Sequence, residues 1–106
     1  MRANRINKLA TGLLYRNPQP HVRSVHAYFP SIAALPDGKM LAAAVLGEAF
    51  EAANLRTHLF RSRDQGATWQ AEGMLHAGTS GRVTSECARL TALPDGGLAA
   101  YMDRHD

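Results

Sequence analysis

The sequence contains one cysteine, Cys87, in 106 residues. A single thiol cannot form an internal disulfide, and it cannot assemble a zinc site from several cysteines. We therefore expect Cys87 to be a buried and unreactive thiol. No other pattern in the sequence indicates a metal or a cofactor, and we expect neither.

The sequence also lacks runs of like charge and long apolar segments. Its 12 basic and 9 acidic residues are dispersed and give a formal net charge of +3. Nucleic-acid binding needs a clustered basic surface, so we expect no nucleic-acid partner. The apolar stretch at residues 9–14 is too short for a signal peptide, and no segment reaches the length of a membrane span. We expect no membrane partner and, by default, a cytoplasmic protein.

The hydrophobic fraction of 45% is that of a globular protein, and the length allows at most one small domain. Residues 6–15 are a candidate for a first strand. Alternation and turn residues predict further strands at residues 28–35, 39–46, 55–61 and 69–75, with two more between residues 86 and 106.

The apolar run after Asp37 has two interpretations. Residues 39–59 are rich in Ala, Leu and Glu, and Asp37 could cap a helix there. An uninterrupted apolar run also suits a strand that is buried on both faces, and periodicity alone does not separate the two. Residues 55, 57 and 59 alternate in character with residues 56, 58 and 60, which favours strands.

An internal repeat supports the strand interpretation. The segment Ala-Leu-Pro-Asp-Gly occurs at residues 34–38 and again at residues 92–96. Pro36 and Pro94 are 58 residues apart, and small apolar residues follow both copies. Repeats of this kind indicate a supersecondary unit that recurs along the chain. Each copy is typical of a tight turn between two strands.

Residues 62–69 have the form Ser-x-Asp-x-Gly-x-Thr-Trp. Asp64 can accept hydrogen bonds from backbone N–H groups of its own turn, and Gly66 can adopt a positive φ. Thr68 and Trp69 restart an extended strand, where the indole ring can hold the turn against a sheet. The motif formed with Ser62 therefore predicts a tight β-hairpin with a structural role.

This motif resembles the Asp box, the signature hairpin of sialidases and of BNR-repeat β-propellers. The resemblance implies an all-β partial β-propeller with about one and a half four-stranded antiparallel blades of a six-bladed sialidase-like ring. Residues 1–27 would be an N-terminal segment with a candidate ring-closing strand and a connector. Residues 28–76 would be the first blade. Residues 77–106 would be a connector and two strands of a truncated second blade, with the remaining blades missing from the chain.

In sialidases the Asp boxes lie on the face opposite the active site, so the resemblance places binding residues in the other loops. Glu48 and Glu51 are the candidate catalytic carboxylates, because glycoside hydrolysis uses carboxyl groups as acid and base. The guanidinium group of Arg can bind the carboxylate of an anionic sugar through two parallel hydrogen bonds. The candidates for substrate binding are Arg23, His26, Tyr28, Arg82, Arg104 and Asp106. The same loops also carry Asn54, Glu86 and His105.

The resemblance implies an exo-glycosidase that acts on carbohydrate or a glycoconjugate, but the chain departs from the family pattern. Sialidases have an Arg two residues before the proline that matches Pro30, and this chain has Tyr28 there. Their acid Asp lies in a loop that matches residues 47–54, which contain no Asp. Their Tyr nucleophile and its Glu partner would lie after Asp106. A non-catalytic propeller that binds carbohydrate or protein, and an inactive fragment, are the alternatives.

Two other histidines have separate interpretations. His58 lies in an alternating strand and is expected to be structural. His105 and Asp106 have the chemistry of an acid–base pair, but adjacent strand residues point to opposite faces of a sheet. The two side chains would share a site only if the strand had already ended.

Overall fold

The computed structural model describes residues 11–18, 24–49, 55–76 and 85–105. The strands in this part of the chain are β1 (His26–Ala34), β2 (Met40–Gly47), β3 (Arg56–Ser62), β4 (Gln70–Met74), β5 (Ser85–Ala92) and β6 (Leu98–His105). Strands β1 to β4 form one antiparallel sheet in chain order, and β5 pairs with β6 in a second. Neither sheet is closed.

The all-β prediction is confirmed for the described residues, and the strands of the first sheet begin and end within two residues of the predicted positions. The largest difference is at β1, which begins at His26 rather than at Tyr28. The helical interpretation of residues 39–59 is wrong, because β2 and β3 occupy the two ends of that range.

Strand β2 determines the packing, because both of its faces are buried. Ala43 is completely buried and belongs to the same core cluster as Leu90 of β5. Ala42 points to the other face and packs with Phe60, where Tyr15 adds partly buried apolar surface. Small side chains suit such a strand, since they let the layers on both sides approach closely. Helix propensity is overridden here by burial on two sides.

The N-terminal segment, residues 11–18, covers one face of the first sheet without forming a strand. The ring of Tyr15 lies 6.4 Å from the ring of Phe60, and its hydroxyl donates to the carbonyl oxygen of Val25 at 2.8 Å. The strand predicted for residues 6–15 is therefore wrong for the described part of that range, where side-chain contacts replace a strand ladder. Its earlier residues lie outside the described part.

The second sheet lies on the other face of the first, with β5 running in the same direction as β1. Near the start of β5, the Glu86 N–H donates to the carbonyl oxygen of Leu55 at 3.1 Å. The Leu55 N–H in turn donates to the hydroxyl oxygen of Ser85 at 3.2 Å. Further along, the Leu90 N–H donates to the hydroxyl oxygen of Ser31 at 2.9 Å. These bonds set the position of β5 along the first sheet.

The two copies of the repeat form turns that are closed by the same backbone hydrogen bond. The Leu35 N–H donates to the carbonyl oxygen of Lys39 at 2.8 Å, and the Leu93 N–H donates to that of Gly97 at 2.8 Å. Gly38 has a φ of 73° in the first turn, a conformation that glycine adopts without steric cost. The β1–β2 and β5–β6 hairpins thus share this closing hydrogen bond, whereas the bonds inside the two turns differ, from the Lys39 N–H to Pro36 in the first and from the Gly96 N–H to Leu93 in the second.

The turn between β3 and β4 is held by side chains. The Asp64 carboxylate accepts hydrogen bonds from the Thr68 N–H at 2.9 Å and from the Thr68 hydroxyl at 2.5 Å. The buried Ser62 hydroxyl donates to Asp64 and accepts from the Gly66 N–H, both at 2.8 Å. The indole N–H of Trp69 donates to the carbonyl oxygen of Gly66 at 3.0 Å. Each residue of the motif therefore contributes to one hydrogen-bonded turn.

This network favours the ionised form of Asp64. The hydroxyl of Thr68, then its backbone N–H, and then the hydroxyl of Ser62 lower the pKa of Asp64 from 3.8 to about 2. Because the folded-state pKa is the lower one, the stabilisation is fully present above pH 3.8 and is lost as the pH falls through about 2.

We predict that the Thr68→Val substitution raises the pKa of Asp64 towards 3.8, since the strongest hydrogen bond to the carboxylate is removed. The measurement is an NMR titration of the carboxyl carbon of Asp64. The control is Thr91→Val, at an exposed position of β5, which should leave the midpoint unchanged. A wild-type midpoint near 3.8 would contradict the assigned network.

We predict that Ala43→Leu destabilises the fold by about 1–3 kcal/mol, because the added carbons have no space between the two layers. Ala99→Leu, at an exposed position of β6, should change the free energy of unfolding by no more than about 0.5 kcal/mol. Urea denaturation of both variants provides the measurement. Equal effects of the two substitutions would show that the face of β2 that carries Ala43 is not closely packed.

Candidate functional site

The hairpins divide the described residues between two rims. The turn rim carries residues 35–39, 62–69 and 93–97, where β1, β3 and β5 end. The polar rim lies opposite, where those strands begin and where β2, β4 and β6 end. The ionisable side chains described at the polar rim are His26, Glu48, Arg56, His76, Glu86 and Arg104. The polar rim therefore concentrates groups that can bind a polar ligand.

Four of the predicted site residues are described, and they lie at or next to the polar rim. His26 is the Cα partner of Gly47 in the β1–β2 ladder, so it lies beside Glu48, which follows β2 and is exposed. Arg104 is exposed and is the Cα partner of Glu86 in the β5–β6 ladder. The other predicted site residues, Arg23, Glu51, Arg82 and Asp106, lie outside the described residues.

Tyr28 lines an apolar cleft of about 230 Å³ on the side of the N-terminal segment. Tyr15, Leu14 and Ala44 also line this cleft. The Tyr28 ring lies 6.1 Å from the imidazole of His26, with an interplanar angle of 51°. The cleft thus offers aromatic surface close to the polar rim, and its lining residues carry no positive charge.

At the polar rim, the side chains of His76 and Glu86 are in direct contact. The Nδ1 atom of His76 lies 2.8 Å from Oε1 of Glu86. The side chain of Glu86 is 0% exposed, whereas that of His76 is 43% exposed. The pair therefore has a buried carboxylate on the inside and an imidazole that is partly open to solvent.

Two buried oxygen atoms near this pair have no hydrogen-bond partner within the described ranges. They are Oε2 of Glu86 and Oγ1 of Thr57. Thr57 lies on β3, and its carbonyl oxygen accepts from the N–H of Leu75, the residue before His76. A buried polar atom without a partner costs about 1–3 kcal/mol. Because buried polar atoms are nearly always hydrogen-bonded, each of these two atoms needs an explanation.

Sequence reasoning placed Glu86 among the polar residues of these loops, but it missed His76 and Thr57. His76 follows the short strand β4 and belongs to no motif. Thr57 was interpreted only as one position in an alternating strand. No local signal connects these residues, because the contact between His76 and Glu86 depends on how the second sheet packs on the first.

Sequence-based expectations also exist for His58 and for the pair His105 and Asp106. His58 is half-buried on β3 opposite Ala44, and burial lowers the pKa of His58, which suits the structural role predicted for it. Strand β6 continues to His105, so the strand has not ended there. Its neighbour Asp106 lies outside the described residues.

Comparison with protein-family models, curated proteins and solved structures found no match for this chain. Within the described ranges, no group of three or more His, Cys, Asp or Glu residues is arranged to hold a metal ion. No helix in that part of the chain has the length and apolar character needed to cross a membrane. The geometry of the polar rim and the motif at residues 62–69 are therefore the grounds for assigning a function.

We predict that Thr57→Val leaves stability unchanged or raises it by about 1 kcal/mol, because a methyl group replaces a buried hydroxyl that has no partner among the described residues. The same substitution at Thr68 should be destabilising, since that hydroxyl donates to Asp64. Denaturant unfolding of both variants provides the comparison. Destabilisation by Thr57→Val would show that the Thr57 hydroxyl has a bonding partner.

Proposed function

We propose that this chain contributes one blade and part of a second to a sialidase-like Asp-box propeller that binds carbohydrate at the polar rim. The four-stranded antiparallel sheet in chain order is the arrangement of a propeller blade. The second sheet packs on a face of the first, as neighbouring blades do. Its two strands repeat the β1–β2 hairpin, and the turn has the same closing hydrogen bond.

The observation that carries this proposal is the hydrogen-bonded turn at residues 62–69. Every defined position of the Asp-box motif takes part in that turn, and the turn joins the third and fourth strands of the sheet. In sialidases the Asp boxes lie on the face opposite the ligand. The corresponding face here is the polar rim, with its histidine, carboxylate and arginine side chains.

The chemistry of the polar rim suits a ligand rich in hydroxyl groups. Glu48 is exposed next to the start of β1, where its carboxylate can accept hydrogen bonds from sugar hydroxyls. Arg104 supplies a cation on the second sheet for an anionic substituent. A glycosidase mechanism needs two carboxyl groups with different roles. We assign these roles to Glu48 and Glu51.

A second candidate function is carbohydrate binding without hydrolysis. The observation that favours it is Tyr28, which lines an apolar cleft where the sialidase pattern has a substrate-binding Arg. An aromatic ring presents a flat apolar face on which the apolar face of a sugar ring can stack. This arrangement provides affinity without any group that takes part in bond cleavage.

We predict that the protein hydrolyses at least one member of a panel of p-nitrophenyl glycosides, and that Glu48→Gln lowers turnover about 10²–10⁴-fold through loss of a proton-transfer group. Glu51→Gln should have a similar effect. The control is Asp95→Asn on the turn rim, whose side-chain oxygen still accepts from the Gly97 N–H. Release of p-nitrophenol is measured for all four proteins.

Unchanged turnover in both Glu variants would remove these residues from the mechanism. Binding to a glycan array without hydrolysis of any glycoside would support the second candidate instead. A wild-type protein that shows no binding and no turnover would contradict both candidate functions.

A further inference from the structure

The apolar cleft between the N-terminal segment and the first sheet has a volume of about 230 Å³. Leu13 and Leu14 of the segment line one side, and Ala27, Pro30 and Ala44 of the sheet line the other. No charged side chain is among the described residues that line it. An apolar cavity of about 150 Å³ is enough to hold benzene. The cleft therefore has space for one aromatic ring with a small substituent.

The wall formed by the N-terminal segment is fixed by contacts with the rest of the chain. The Tyr15 hydroxyl donates to the carbonyl oxygen of Val25 at 2.8 Å, and the Val25 N–H donates to Oδ1 of Asn17 at 3.2 Å. Near the start of the segment, Gly12 lies so close to the carbonyl oxygen of Gly66 that a Cβ atom there would clash. The segment is thus held on both sides of Leu13 and Leu14, and the cleft is formed before a ligand binds, as most ligand sites are.

A bulge in β1 shapes the wall formed by the sheet. The register with β2 shifts between Tyr28 and Ser31, and Phe29 within this bulge has a φ of 51°. A positive φ is unfavourable for a bulky residue, and bulges of this kind often redirect side chains next to binding sites. The bulge leaves Pro30 outside the ladder, and Pro30 lines the cleft.

The polarity of the lining determines which part of a ligand fits. A sugar ring carries several hydroxyl groups, and each one that is buried without a hydrogen-bond partner is unfavourable. The side-chain hydroxyls along the cleft are those of Tyr15 and Tyr28, and that of Tyr15 already donates to the carbonyl oxygen of Val25. An aromatic group has no such requirement and packs well against other aromatic rings. The cleft therefore matches an aromatic group better than it matches an enclosed sugar.

The cleft lies next to the polar rim, where the proposed function places the sugar. Ala27 is the Cα partner of Leu46, and Glu48 follows two residues later, which corresponds to about 7 Å of extended chain. In glycoside hydrolysis the general acid protonates the oxygen that joins the sugar to its leaving group. With Glu48 as that acid, a group joined to the bound sugar is within reach of the cleft.

We infer that the cleft binds the aromatic aglycone of a glycoside whose sugar binds at the polar rim. The aglycone is the group that is joined to the sugar. This inference rests on the proposed function, because it names the substrate class, aryl glycosides. It assigns the cleft residues, among them Leu14, Ala27 and Ala44, to recognition of the aglycone rather than of the sugar.

The test compares the p-nitrophenyl and methyl thioglycosides of one sugar, because thioglycosides resist hydrolysis during a binding titration. We expect the wild type to bind the p-nitrophenyl compound at least tenfold more tightly. Ala27→Phe, at an exposed position of the cleft wall, should remove this preference, since the added ring occupies the cleft, and should leave the affinity for the methyl compound unchanged. The matched control is Ala34→Phe, at an exposed position at the other end of β1, which should keep the preference.

Phenol tests the cleft without a sugar. We expect phenol to cause saturable changes in the methyl NMR signals of Leu14, Ala27 and Ala44 in the wild type. In Ala27→Phe, the signals of Leu14 and Ala44 should no longer respond. The midpoint of urea unfolding shows whether each variant is folded. If Ala27→Phe does not fold, the preference of the wild type and its response to phenol still test the inference.

Three results would overturn the inference while leaving the proposed function intact. The first is equal affinity of the wild type for the two thioglycosides. The second is an equal loss of both affinities in Ala27→Phe, which would place the sugar itself in the cleft. The third is a set of NOEs in the ligand-free protein that shows the cleft filled by residues 1–10 or by a second copy of the chain. A wild-type protein that binds phenol in the cleft but neither thioglycoside would overturn the proposed function and, with it, the link between the cleft and a sugar.

Discussion

The burial of β2 on both faces is the constraint on which the rest of the structure depends. The segment Leu41–Val45 lies between two layers, with the N-terminal segment on one side and β5 on the other. Only small or compact side chains fit there, and three consecutive alanines occupy the centre. Because β5 packs against this strand, the start of the second sheet lies next to the end of the first sheet that belongs to the polar rim.

The two rims follow from this arrangement. Successive connections between antiparallel strands in chain order alternate between the two ends of a sheet. In this chain the short hairpin turns lie at one end and the longer connections lie at the other. The short turns are closed by specific hydrogen bonds, such as those accepted by Asp64, so the residues of these turns have a structural role. At the opposite end, in the polar rim, the buried side chain of Glu86 contacts the partly exposed side chain of His76.

Much of the fold could be predicted from local patterns. Alternation, the repeated turn and the Asp-box motif predicted the strands of the first sheet and their antiparallel order. The helix propensity of the Ala-rich run favoured a helix, but the segment forms strand β2, because it is buried on both faces. The strand expected near Tyr15 was wrong, since an aromatic ring and one hydroxyl bond can cover a sheet without a ladder.

The candidate site was much harder to predict. His76 and Glu86 are ten positions apart. His76 follows β4 of the first sheet and Glu86 lies on β5 of the second, so the packing of the two sheets brings their side chains within 2.8 Å. The most direct test of this account is to titrate the protein with a glycoside it binds and to map the changes in backbone amide NMR signals. Changes centred on Glu48, His76 and Glu86, with little effect at residues 62–69, are the predicted result. Changes centred on the turn rim would contradict the account.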